Sequence, residues 1–349
     1  MRLAMGLAFQ ARRWLILTVV AGLVVGAISW LLLKPGPRHV SDGTTMSSSP
    51  PPPGGYFALV PAGRWRTLPS YDTCEGLVHY STWEPRPDNY KRNYAIPDAA
   101  AVHRALSARP RAVRGAYDVR WDSWLVPRID GQFSGTTDEI FQWAACKWGL
   151  PDDLLRAIAV RTSTWYQYET YPTGRCVTHF GCGDVFPTAS PASRVFCRAL
   201  ARYGYDYQRD FGHGMCPKTF SIVGVKSWQD PRQAAWPDNQ NGTFPFNRDS
   251  TAFAVDYLAA QLRGCYEGWQ LWLGRTSARQ YGAGDLWGCV GTWYSGEWHS
   301  RAADGYISRV RATMQLWPWL DPGWANDRPG YSAVYGHPGP DPLSPRNAR

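Results

Sequence analysis

Residues 14–33 read WLILTVVAGLVVGAISWLLL, twenty residues without a charge. A helix of that length spans the hydrocarbon core of a bilayer. Trp14 and Trp30 stand near its ends, where interfacial aromatics collect. Arg2, Arg12 and Arg13 precede the run, and Lys34 and Arg38 follow it. The charge bias toward an N-terminus on the inner side is therefore small. A secretory signal peptide is the competing reading. It calls for a shorter apolar region and a small-x-small cleavage site. The following "KPGPRHVSDG" offers no such site. An uncleaved single-pass anchor is expected, with residues 1–13 in the cytoplasm and the C-terminal part at the outer face of the cell membrane. Secretion is the alternative, and both readings export the rest of the chain.

The residues after the apolar run agree with export. Residues 34–55, with "SSSPPPPGG" at 47–55, read as a flexible linker with too little apolar content for a fold. All eight cysteines lie beyond it: Cys74, Cys146, Cys176, Cys182, Cys197, Cys216, Cys265 and Cys289. An even number of cysteines in an exported domain implies disulfides. The pairing is open from sequence. No C-x-x-C or H-x-x-x-H spacing marks a zinc site, and no other metal or cofactor is expected. His179 and His213 flank Cys182 and Cys216 as lone loop histidines. No nucleophile elbow marks a serine hydrolase.

The formal net charge is +9, but five of the cations precede Asp42, the first acid. No tight basic run follows, so nucleic acid is not an expected partner. Nineteen Trp and nineteen Tyr give the chain an aromatic fraction of 14%. Most of these rings belong in a core, and the rest suit stacking on sugars.

Helix signals dominate the exported part. "TTDEIFQWAACKWG" opens on a capping box, Thr136 with Glu139, and ends on Gly149. "PDDLLRAIAVRT" places Pro151 at the first helical position and Asp152 and Asp153 in the first turn, where the dipole favours acids. "STAFAVDYLAAQLRGCYEG" and "SRAADGYISRVRATMQLW" are two further helices. A short β element is expected around 216–226. The fold class is mainly α, with a small β contribution (α+β). Residues 56–135 read as an N-terminal extension, 136–325 as the main domain and 326–349 as a Pro/Gly-rich tail. On the helix from 151, Leu155, Ile158 and Thr162 share one face, which puts Thr162 at the inner end of the helix.

"CKWGLPDDLLRAIAVRTSTW" resembles the lysozyme-like fold of lytic transglycosylases (SLT type) and goose-type lysozymes. Their pattern runs roughly x-x-G-[LV]-[PD]-x-x-L-x-x-A-[IV]-x-x-x-E-S-x-[FW]. Gly149, Leu150, Pro151, Ala157, Ile158, Ser163 and Trp165 match in register, and the family's glutamate falls on Thr162. A second family block, S-[FY]-G-[LI]-M-Q-[VI], corresponds to "TFSIVGV" at 219–225. Phe220, Ile222 and Val225 are kept, while Ser221, Val223 and Gly224 replace Gly, Met and Gln. A third, the YN-x-G turn, corresponds to "WYSG" at 293–296. "STWEPRPDN" at 81–89 resembles segments of actinobacterial relatives. The order and spacing of these blocks over about 140–315 carry the resemblance.

The resemblance implies a peptidoglycan cleft in which one glutamic acid protonates the glycosidic oxygen and then deprotonates the sugar's own 6-hydroxyl. Thr162 cannot do this, because an aliphatic hydroxyl is too weak an acid. General acid–base catalysis contributes about 10²–10⁴-fold. Substitute acids are Glu169 and Asp184, in aromatic-rich loops near the expected cleft, with Glu297 and Asp256 read as solvated carboxylates or partners of a nearby Arg. Ser163, Trp165, Phe220, Ser221, Ile222, Trp293 and Tyr294 are the expected substrate-binding residues, with Trp165, Phe220, Trp293 and Tyr294 as stacking surfaces. The leading expectation is a membrane-anchored protein that holds glycan strands without cutting them. The alternatives are an active transglycosylase or muramidase with a relocated carboxylate, and a structural component of an envelope machine.

Overall fold

A computed structural model describes residues 48–108, 115–167, 185–187, 198, 215–217, 219–227 and 241–324. The described residues all belong to one compact unit. The apolar run 14–33, the tail from 325 and the loop residues Glu169, His179, Asp184 and His213 lie outside the described residues. Among the described residues no helix is long and apolar enough to cross a membrane.

The unit is mainly helical. Its principal helices are α1 (Tyr71–Leu77), α2 (Ala99–Ser107), α3 (Thr137–Trp148), α4 (Asp152–Ser163), α5 (Thr251–Tyr266), α6 (Leu286–Ser295) and α7 (Arg301–Leu316). Two small antiparallel strand pairs accompany them: β1 (Val185–Pro187) with β2 (Met215–Pro217), and β3 (Thr219–Phe220) with β4 (Val225–Lys226). The second pair falls where the sequence placed a short β element.

Local chemistry sets the helix ends. Thr136 accepts the amide of Glu139, and the Glu139 carboxylate accepts the amide of Thr136 at 2.8 Å, closing the capping box that starts α3. Gly149 ends α3 at φ +61°, and a Cβ there would lie 2.5 Å from the Leu68 side chain. Pro151 is the N-cap of α4, one position earlier than the sequence reading, with Asp152 and Asp153 in the first turn. Ser250 and Ser300 cap α5 and α7.

All twelve residues of α3 are buried, and all of α5 except Tyr257 and Gln261. A helix enclosed on every side is the centre of its domain. These two pack on each other, and α4 and α7 pack side by side, as do α6 and α7. The N-terminal extension is built into this core. The Cys74–Cys146 disulfide ties α1 to α3, and Cys265–Cys289 ties α5 to α6. Their sequence separations of 72 and 24 residues make chain-entropy contributions of about 4 and about 3.5 kcal/mol. Of the other four cysteines, Cys176, Cys182 and Cys197 lie outside the described residues and Cys216 lies on the Met215–Pro217 strand.

Buried charges lock the helices in register. Arg156 of α4 donates to Asp138 (2.7 Å), Asp152 (2.7 Å) and Asp153 (2.9 Å). Asp152 also accepts the amides of Tyr56 and Phe57, Asp138 accepts from Gln142, and Asp153 accepts from the Trp317 indole. Asp256, in the middle of α5, accepts from Lys147 (2.9 Å), the Trp148 indole (2.6 Å) and the amides of Asp130 and Gly131. The expectation of a solvated acid or an arginine partner for Asp256 is thereby corrected: it is wholly buried, paired with a lysine, and closed to substrate.

Candidate functional site

The end of α4 carries the site. Thr164 and Trp165 follow it at φ +54° and +66°, two consecutive left-handed residues that are not glycine. Each costs about 1–3 kcal/mol and persists only when its surroundings hold it there. Arg86 donates to the Thr164 carbonyl at 3.0 Å and Asn89 to that of Trp165 at 2.7 Å. The Trp165 ring is fully enclosed by Trp83, Phe141, Trp319 and Trp324, and its indole N–H reaches the Arg156 carbonyl. The turn therefore fixes where α4 stops and which way Thr162 and Ser163 point.

Three segments that are distant in sequence meet at this end. Ser163 Oγ donates to the Ile222 carbonyl at 2.8 Å. The Trp293 indole N–H of α6 donates to the Val223 carbonyl at 3.2 Å. A Cβ on Gly224 would lie 2.9 Å from Thr162 Cγ2, so the β3–β4 loop rests directly on Thr162. Ser221 and Gly224 turn that loop at φ +70° and +67°. Gly224 thus has two reasons to lack a side chain. The segments around 162, 219–225 and 293–296 therefore meet at one locus.

Thr162 itself is half-buried and donates its hydroxyl proton to the Ile158 carbonyl at 2.8 Å. The phenol of Tyr306, on α7, lies beside it. Tyr294 stacks on Tyr306 with centroids 4.6 Å apart and planes 6° from parallel. Arg309 lies over both rings, at 5.7 Å and 5.9 Å. Burial pushes the Tyr306 phenol up to about 12, with Thr162, Arg161 and Arg309 pulling the other way. Burial, followed by the charge of Arg309, pulls Arg161 below the usual guanidinium range.

The individual expectations divide. Trp293 and Tyr294 are partly exposed at the locus. Trp165 and Phe220 are not, and their assignment as stacking surfaces is corrected. Both are fully buried, Trp165 in its aromatic cage and Phe220 against Phe244 at 5.3 Å. Ile222 is also core, and Ser163 and Ser221 are buried parts of the loop–helix junction. Glu297 is exposed just past α6, while Glu169 and Asp184 lie outside the described residues. Tyr306, Arg161 and Arg309 were not singled out from sequence. No motif marks them; Arg161 is the neighbour of Thr162 on α4, and Tyr306 and Arg309 reach the locus because α7 lies along α4 and α6.

Among the described residues, the groups at this locus offer hydrogen bonding and stacking. The hydroxyl of Thr162 is engaged, and a phenol held near 12 stays protonated at neutral pH without being acidic enough to protonate a leaving group. No carboxylate hydrogen-bonds to Thr162 among the described residues. Nor, among them, does any group of three His, Cys, Asp or Glu side chains stand ready to hold a metal ion. No protein-family model, curated protein or solved structure matches this chain.

Proposed function

We propose that the chain is a membrane-anchored, extracytoplasmic peptidoglycan-binding protein of lysozyme-like type that grips glycan strands without cleaving them. Residues 14–33 supply the anchor, and a linker joins it to the domain; the linker is shorter than the expected 34–55, because Pro51 is buried and the Ser49 carbonyl accepts from Ser81 of the domain. The observation that carries the reading is the meeting of three dispersed blocks at one helix end whose key position is a threonine. Ser163 bonds to Ile222, Trp293 bonds to Val223, and Gly224 closes on Thr162.

Each element then has a role in binding. Trp293 and Tyr294 offer ring faces to pyranose C–H surfaces. The β3–β4 loop brings backbone groups to the acetamido side chains. Arg309, above Tyr294 and Tyr306, suits the carboxylates of a substituted sugar or stem peptide. Without a proton donor at 162, the glycosidic bond survives the encounter.

The experiment is a sedimentation assay of the full chain, in detergent micelles, with insoluble peptidoglycan. Retention with no soluble muropeptides supports the reading. Release of anhydro-muropeptides points to an acid elsewhere in the chain, and no retention at all points to a structural partner of an envelope assembly.

A further inference from the structure

The corner between α6 and α7 holds a side chain that glycan binding leaves unused. His299 sits at φ +46° with its imidazole between two carboxylates. Nε2 is 2.6 Å from Asp285 Oδ2, and Nδ1 is 3.0 Å from Asp304 Oδ1. Asp285 is the N-cap of α6, and its other oxygen accepts the Gly288 amide at 2.8 Å. Asp304 lies in the first turn of α7, and its other oxygen faces Arg279 at 3.5 Å. The ring is backed by the edge of Trp298, and a Cβ on Gly288 would come within 2.8 Å of Nε2. Glu297 and Arg301 flank His299 in sequence, and neither forms an ion pair with it among the described residues.

The hydrogen-bond inventory of this arrangement depends on one proton. A carboxylate only accepts. A neutral imidazole carries one N–H, so it satisfies one of the two acids and turns a lone pair toward the other. The imidazolium satisfies both. The same proton decides whether the heads of α6 and α7 are joined through one residue.

We propose that His299 is a proton-operated latch that regulates the glycan cleft by holding α6 against α7. Protonated, it fastens the α6 N-cap to the first turn of α7, and Trp293 and Tyr294 stay in register with Val223 and Tyr306. Deprotonated, it releases one carboxylate and α6 loosens on its neighbour. The effect on the cleft rests on the glycan-binding reading; the latch itself does not. Burial alone lowers the imidazole's proton affinity, but the bonds and charges of Asp285 and Asp304 outweigh it and raise it above the usual 6.5. The latch therefore contributes its full stability below about pH 6.5 and loses it as pH rises through the raised value.

The test uses the full chain in detergent micelles with carbon-13-labelled histidine, as wild type, His299→Gln and Asp304→Asn. The His299 resonance, assigned by its absence in His299→Gln, should titrate above 6.5 in the wild type and at lower pH in Asp304→Asn. The melting temperature of His299→Gln should lie below that of the wild type near pH 6 and meet it near pH 9. Retention on insoluble peptidoglycan should fall several-fold over the same range in the wild type, with no matching fall in His299→Gln. A wild-type midpoint at or below 6.5, or a melting difference unchanged with pH, overturns the latch. The expected titration with no retention at either pH overturns its regulatory role together with the glycan reading. If His299→Gln does not fold, the wild-type and Asp304→Asn titrations still decide.

Discussion

Replacing Arg156 with methionine tests how the helix that presents Thr162 is held. The guanidinium is wholly buried and is the one cation bonded to Asp138, Asp152 and Asp153 among the described residues. Methionine keeps most of the volume, so the cost is electrostatic. Removing one partner of a buried ion pair costs about 3–5 kcal/mol. Three acids behind one cation push toward the upper end. Each acid retains another donor (Gln142, the Tyr56 and Phe57 amides, or Trp317), which keeps the loss from multiplying. We expect a loss of about 4–5 kcal/mol, or roughly 10–20 °C in melting temperature for a domain of this size. The pH dependence adds a second signature. Burial already raises the Asp153 carboxyl in the wild type, with Arg156 the main opposing influence. Without Arg156 the Asp153 carboxyl rises further above its unfolded value, because burial is then opposed by less. A carboxyl raised by folding stabilises the fold at low pH, and that contribution is lost as pH climbs through the raised value. The deficit of Arg156→Met should therefore shrink between about pH 7 and pH 5. Urea unfolding at both pH values provides the measurement. A loss below about 1 kcal/mol, or a deficit independent of pH, would refute this account of the cluster.

Thr162→Glu returns a carboxyl to a position between Tyr306 and the Gly224 loop; we expect it to release soluble muropeptides in mass-spectrometric analysis where the wild type releases none. A folded but silent variant would mean that a carboxyl at 162 is not placed to protonate a bound glycan. Trp165→Ala should cost about 3–5 kcal/mol, because it empties an aromatic cage. Trp293→Ala should change stability far less while weakening retention on peptidoglycan. Calorimetry beside sedimentation separates the two, and equal effects on both readouts would undo the distinction between core and binding surface.

The helices were legible because their signals are local. The Thr136–Glu139 box, the Gly149 stop and the Ser250 and Ser300 caps each lie within a turn of what they control. The meeting of the segments around 162, 219–225 and 293–296 has no local signal, because their contacts join residues about 60 to 70 positions apart. What escaped depends on distant partners. Helical periodicity puts Trp165 one turn beyond Thr162, but the rings that bury it come from positions 83, 141, 319 and 324. The lysine that pairs with Asp256 is 109 residues away. Tyr306 belongs to a helix whose sequence reads as an ordinary amphipathic surface, and only packing carries it to Thr162.

The central claim is that this locus holds a sugar strand and leaves it whole. Its most direct measurement incubates the full-length chain with radiolabelled insoluble peptidoglycan and counts label in pellet and supernatant, with the protein followed in parallel. Protein should be found in the pellet, with label in the supernatant at the level of a protein-free control. Label released in proportion to time and protein concentration would contradict it.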